Sequence, residues 1–174
     1  MGKKGKKGQA GKPKKLTPKD VGKRLNALAK NLEEELEGAD LFAPLPPTED
    51  CAICFLPLSR FRSNSGYWVC CGQRICMGCA GENEALIKKQ NEENPWKKLA
   101  FTCPFCRELP PTQGDKIVRQ LEARALKNDH NALTSLGDTF TDGDWGLPKD
   151  ALKALDYFIR AVERGSPEAC TNIG

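Results

Sequence analysis

The chain has 174 residues, nine of them cysteine, sixteen glycine and twelve proline. With 29% charged residues and a mean hydropathy of −0.54, no apolar run approaches the roughly 18 residues a membrane-crossing helix needs, so no membrane span is expected. The net charge of +4 is uneven. Residues 1–24 carry +9 and the rest −5, so a basic-surface argument for nucleic-acid contact applies to the first segment alone.

Residues 1–16 alternate glycine and lysine (Gly2, Gly5, Gly8 and Gly11 among seven lysines from Lys3 to Lys15) and have almost nothing to bury. A disordered basic tail is predicted, suited to nuclear import or non-specific nucleic-acid contact, with a plain solubilising tail as the alternative. The segment lacks the apolar stretch of a secretory signal and the Ser or Thr of a myristoylation motif, so an intracellular location, cytoplasmic or nuclear, is expected.

Residues 17–38 read as an amphipathic helix. Thr17 can cap it and Pro18 suits its first position. Val21, Leu25, Leu28, Leu32 and Leu36 share one face, and Gly38 ends it. Basic residues at its start and Glu33, Glu34, Glu35 and Glu37 near its end oppose the helix dipole, so it should be weak in isolation. Packing on this chain's own domains and pairing with a partner helix both suit such a stripe. Residues 39–50, with Pro44, Pro46 and Pro47, read as a stiff linker.

Eight cysteines then fall in four pairs: Cys51/Cys54, Cys70/Cys71, Cys76/Cys79 and Cys103/Cys106. Three are Cys-x2-Cys chelates, whose thiolates can reach a single tetrahedral zinc. The four pairs make up two sites of four sulfurs each. Without an export signal, disulfides are the weaker explanation. A segment this short needs help to fold, and structural zinc contributes on the order of 10–16 kcal/mol in small peptides. Two zinc ions are therefore expected.

The run Cys51-Ala52-Ile53-Cys54, Cys71-Gly72-Gln73-Arg74-Ile75-Cys76-Met77-Gly78-Cys79 and Cys103-Pro104-Phe105-Cys106-Arg107 resembles the RING finger, in an all-cysteine form. The resemblance covers residues 51–107. It implies a small zinc-bound α+β cross-brace in which Cys51, Cys54, Cys76 and Cys79 take one ion, and Cys70, Cys71, Cys103 and Cys106 the other. Gln73 stands where many RINGs have histidine; an amide is a poor zinc ligand, so Cys70 is preferred for that site. Such modules act as ubiquitin ligases without a catalytic residue of their own, by positioning a ubiquitin-charged conjugating enzyme. By the same resemblance Ile53, Trp96, Pro104 and Arg107 would contact that enzyme or its ubiquitin, and residues 80–93 would be the central helix. PHD-like and FYVE-like modules fit less well because they need histidines that are missing here.

Beyond residue 115 the sequence resembles itself at a spacing of 37: Leu121/Phe158, Ala125/Val162, Ala132/Ala169, Leu136/Ile173 and Gly137/Gly174. Helices are predicted over residues 131–140 and 150–164, with Gly137 permitting their close approach. Trp145 is expected to pack in the turn between them, Cys170 to be a small packing residue, and His130 to face solvent. The residues Ala132-x3-Leu136-Gly137-x2-Phe140-x2-Gly143, Asp150-x2-Lys153-Ala154 and Gly165 are similar to a Sel1-like repeat. That likeness implies an α-helical solenoid over residues 117–174, incomplete at its end, that binds partner or substrate proteins. A RING-like module followed by Sel1-like units resembles the RING–Sel1 proteins of diatoms and related algae. The combined expectation is a ubiquitin ligase, with a non-enzymatic zinc-stabilised adaptor as the alternative.

Overall fold

The computed structural model describes residues 16–37, 39–40, 43, 48–59 and 64–173. The expectations for most of the tail, for Gly38 and for Pro44–Pro47 lie outside these residues. The chain is mostly helical with a two-stranded sheet, in the order α1 (Pro18–Glu37), β1 (Ser65–Trp68), β2 (Gln73–Cys76), α2 (Met77–Glu93), α3 (Gly114–Ala125), α4 (His130–Asp142), α5 (Ala151–Val162) and α6 (Pro167–Ile173).

The start of α1 follows from its sequence. The Thr17 hydroxyl donates to Asp20 at 2.5 Å and accepts the Asp20 N–H at 3.3 Å, closing the first turn. The first half of the helix packs on α5: Val21 is buried, and Arg24 pairs with Asp156 and, at 3.2 Å, with Glu163. Its second half projects away, leaving Leu32 and Leu36 exposed. The packing half of the apolar stripe is thus an internal contact.

Helices α3 to α6 pack each on the next and share one core of Ile117, Val118, Leu121, Ala125, Ala132, Leu133, Leu136, Phe140, Ala154, Phe158, Ala161 and Ala169. The 37-residue spacing has a physical basis, since Ala132 and Ala169 are both fully buried, as are Leu121 and Phe158 to within a few per cent. Caps set the boundaries. Asp129 accepts the N–H groups of Asn131 and Ala132 at the start of α4, and Asp150 accepts that of Lys153 at the start of α5. Ser166 does the same for Ala169 in α6. The described residues hold one helix pair, α4–α5, with one helix on either side. That is a helical unit and not an array of repeats, so the solenoid is not shown.

Three residue expectations change. His130 does not face solvent: it is partly buried, with Nε2 3.0 Å from Glu49, because the segment before Cys51 lies against the start of α4. Cys170 is exposed, its thiol donating to the Ser166 carbonyl at 3.6 Å, because α6 turns Ala169 inward instead. Trp145 is half exposed. It sits at φ 58° in a short 3-10 turn (Asp144–Gly146), and its backbone side lies against Gly114, where an added Cβ would fall 2.7 Å from its carbonyl oxygen.

The β1–β2 hairpin joins the cysteine-rich segment to the helical unit. It is antiparallel, with Tyr67 opposite Arg74 and Gly66 opposite Ile75. Alternation gives it two faces. Trp68 and Ile75 face a small core with Cys51 and Leu58, whereas Tyr67 reaches the helical core.

Candidate metal centres

Cys51-Ala52-Ile53-Cys54 and Cys103-Pro104-Phe105-Cys106 fold into the same knuckle. In the first, the Cys51 N–H donates to the Leu56 carbonyl at 2.8 Å and the Phe55 N–H to the Cys51 carbonyl at 2.8 Å. In the second, Cys103 donates to Glu108 at 2.9 Å and Arg107 to Cys103 at 3.0 Å. Both loops close through a residue in the left-handed region, Phe55 at φ 58° and Arg107 at φ 61°. Each knuckle buries its first cysteine and leaves its second exposed.

The other two pairs come from the hairpin. Cys76 ends β2 and caps α2, its Sγ accepting the Cys79 N–H at 3.4 Å, so Cys76 and Cys79 share the first turn of that helix. Cys70 and Cys71 lie in the turn between the strands, closed by the Gly72 N–H on the Trp68 carbonyl at 2.7 Å. This turn lets adjacent cysteines serve one site, which an extended strand would forbid.

These placements gather the sulfurs of Cys51, Cys54, Cys76 and Cys79 within 4.8 Å of one another, and those of Cys70, Cys71, Cys103 and Cys106 likewise. The first pair thus meets the third, and the second meets the fourth. Gln73 is exposed on β2, and Cys70 contributes the fourth sulfur of the second cluster. All nine cysteines are free thiols.

The spacing of the sulfurs suits a tetrahedral ion. A zinc–sulfur bond of about 2.3 Å places ligands about 3.8 Å apart, whereas a disulfide needs about 2.05 Å. Cys54 and Cys76 lie 3.9 Å apart, and Cys71 and Cys103 3.5 Å. Each group can therefore hold a metal ion.

The electrostatics agree with the geometry. Burial raises the Cys51 thiol, but the N–H groups of Cys54, Cys76 and Ile53 outweigh it and bring its pKa down to about 6. Cys103 is lowered in the same way, burial being outweighed by the N–H groups of Cys106 and Phe105. Cys70 is raised, by burial first and then by Cys106 and Cys103. Cys79 is raised first by its hydrogen bond with Cys76 and then by burial. Each cluster thus favours one thiolate and resists the next, the condition a cation at its centre relieves.

Among the four residues expected to touch a conjugating enzyme, Ile53 sits on the first knuckle and is partly exposed. Pro104 and Arg107 belong to the second knuckle, half-buried and exposed respectively. Trp96 is fully exposed, just beyond α2. A groove beside α2, about 520 Å³, is lined by Ile87, Leu99 and Phe101 together with Glu84, Lys88, Asn91 and Glu92, and by none of those four residues. Sequence reasoning missed Phe101, whose ring lies tilted at 34° against that of Trp68, centroids 5.6 Å apart; its isolation in a segment without apolar period gave no signal.

No family model and no solved structure matches the chain. A stretch of 60 residues is 35% identical to the "ERAD-associated E3 ubiquitin-protein ligase component HRD3A" of Arabidopsis thaliana, covering 34% of this chain and 9% of that protein. The chain is therefore similar to a small part of a ubiquitin-ligase component, and it carries two four-cysteine groups that could each hold a metal ion.

Proposed function

We propose that the chain is a zinc-bound RING-type ubiquitin ligase, in which residues 51–107 recruit a ubiquitin-charged conjugating enzyme and the helical unit binds partner or substrate proteins. The observation that carries this reading is the interleaving of the cysteine pairs, first with third and second with fourth, at sulfur distances suited to a tetrahedral ion. The zinc supplies structure only: with four thiolates each, both centres are closed to substrate. Catalysis is then positioning, and its agents are surface side chains.

Arg107 suits the part of a cation that bridges enzyme and ubiquitin. It is exposed, and it is held at φ 61°, where a residue other than glycine costs on the order of 1–3 kcal/mol. Ile53 and Pro104 present apolar surface from the two knuckles. The similarity to a stretch of an E3 ligase component supports the setting. A repeat-like role for the helical unit is supported by the inward positions that recur 37 residues apart. The cytoplasm or nucleus would be the site of action, and the lysine-rich tail would add non-specific contact with nucleic acid.

A second reading, a zinc-stabilised adaptor without ligase activity, is favoured by Trp96. Its side chain is wholly exposed, and it is not among the residues lining the α2 groove. Autoubiquitination by the zinc-loaded chain with a panel of conjugating enzymes separates the two. The ligase reading expects activity that falls at least tenfold in Ile53→Ala and Arg107→Ala while both variants keep their metal. A metal-replete wild type that is inactive with every enzyme leaves the adaptor.

A further inference from the structure

The two cysteine clusters differ in what holds them. The first is braced from within its own segment: the Cys76 N–H donates to the Cys51 sulfur at 3.3 Å, the Cys79 N–H to that of Cys76, and the Ala52 N–H to the Arg74 carbonyl at 3.3 Å. The second depends on the Cys70–Cys71 turn, and that turn is held from outside. Arg124, in the last turn of α3, donates from Nε to the Val69 carbonyl and from Nη2 to the Cys70 carbonyl, both at 2.6 Å.

The physical need is plain. The carbonyls of Val69 and Cys70 lie in the turn, beyond the last ladder pair, Trp68 with Gln73, and so need partners from outside the sheet. A guanidinium, with a rigid fork of donors, satisfies both at once. Gly72 makes room for it: it sits at φ 74°, and a Cβ there would fall 2.1 Å from Arg124 Nη1. The fork is held in turn by Asp129, 3.8 Å from Nη1, which also caps α4 and accepts the Tyr67 hydroxyl at 2.6 Å.

We infer that Arg124 is a positioning residue of the second metal centre, so that metal affinity at Cys70, Cys71, Cys103 and Cys106 is set by its grip on the Cys70–Cys71 turn, whereas none of its bonds among the described residues reaches the first centre. This rests on the proposal that both clusters hold metal. Linkage makes the effect reciprocal: a partner that shifts the α3–α4 corner changes affinity at the second centre, and loading that centre tightens the corner.

The test uses the full chain titrated with cobalt(II), whose thiolate charge-transfer bands report four-sulfur coordination, in competition with a chelator. Alkylation mapped by mass spectrometry shows which cysteines each ion protects. In Arg124→Met, which keeps the stem and removes the fork, the second centre should lose affinity by about 10–100-fold, the usual cost of removing an outer-shell partner, while the first is unchanged. Arg124→Lys, with a single donor nitrogen in place of a rigid fork, should fall between. Should Arg124→Met not fold, Arg124→Lys, which keeps the charge and the stem, carries the test, with the same selective loss at the second centre in smaller measure. Equal weakening of both centres, or an unchanged second centre, overturns the inference. A wild-type chain that fails to take two four-sulfur cobalt ions instead overturns the metal reading itself.

Discussion

Gly137 meets the ring of Phe158 so closely that a Cβ built on it falls 2.3 Å from the Cε1 carbon. Both residues lie in the α4–α5 contact, and the ring, itself buried, has little room to give. Gly137→Ala should therefore cost about 1–3 kcal/mol, the usual penalty for overpacking, and lower the denaturant midpoint of the metal-saturated chain. An unchanged midpoint would mean the helices are free to part. The glycine was legible in the sequence because it falls within an apolar period, whereas His130 was not, since its partner Glu49 is 81 residues away. That pair has a definite pH signature. Its hydrogen bond with Glu49 raises His130 above 6.5, and the same bond lowers Glu49 below 4.5. The histidine's contribution is complete below 6.5 and is lost as pH rises through its raised value; the glutamate's is complete above 4.5 and is lost as pH falls through its lowered one. The stability difference between wild type and His130→Gln should thus peak between these limits and shrink toward pH 8. Both side chains are partly exposed, so it should stay under about 1 kcal/mol. Paired urea melts check it, and a difference independent of pH would contradict it.

Among the elements, α2 shows how a boundary escapes sequence reading. It begins at Met77 and not at residue 80, because the Cys76 sulfur caps it, a role normally sought in Ser, Thr, Asp or Asn. The caps of α4 and α5 are aspartates, and those helices begin within a residue or so of where the pattern put them. Helix α1 divides into a packed half and a projecting half. Its four glutamates near the C-terminus oppose the dipole, and no basic residue stands in the last turn to offset them. Hydrogen exchange should find the amides of residues 29–37 opening far faster than those of α4 and α5. Equal protection along α1 would show that something covers its second half. The hairpin was the least legible element. Its strands are four residues each, and its two faces serve different cores, so no single apolar alternation marks it. The Arg124 clamp on its turn spans 54 residues and leaves no local pattern.

At the scale of the whole molecule, the two cores differ in self-sufficiency. The helical unit buries a dozen residues in one cluster, whereas the cysteine-rich segment buries Cys51, Leu58 and Ile75 in another. Among the described residues that small core, even with the buried Cys103, falls far short of the ordering entropy of a segment this long, at about 1–2 kcal/mol per residue. Chelation of bound metal should therefore unfold residues 51–107 while α4 and α5 keep their protection, as residue-resolved NMR would reveal. Concerted loss of both would show that the helical unit cannot stand without the ions. Among the described residues no helix is long and apolar enough to cross a membrane. Cysteine spacing carried the candidate centres because ligands must meet at one point whatever the fold between them. The docking of the helical unit was invisible because it rests on single long-range partners such as Tyr67 with Asp129 and Arg74 with Glu168. The most direct test is an anomalous difference map at the zinc edge from crystals of the loaded chain. Two peaks are predicted, one inside the sulfurs of Cys51, Cys54, Cys76 and Cys79, the other inside those of Cys70, Cys71, Cys103 and Cys106. A single peak, or a peak shared between differently combined pairs, would contradict the account.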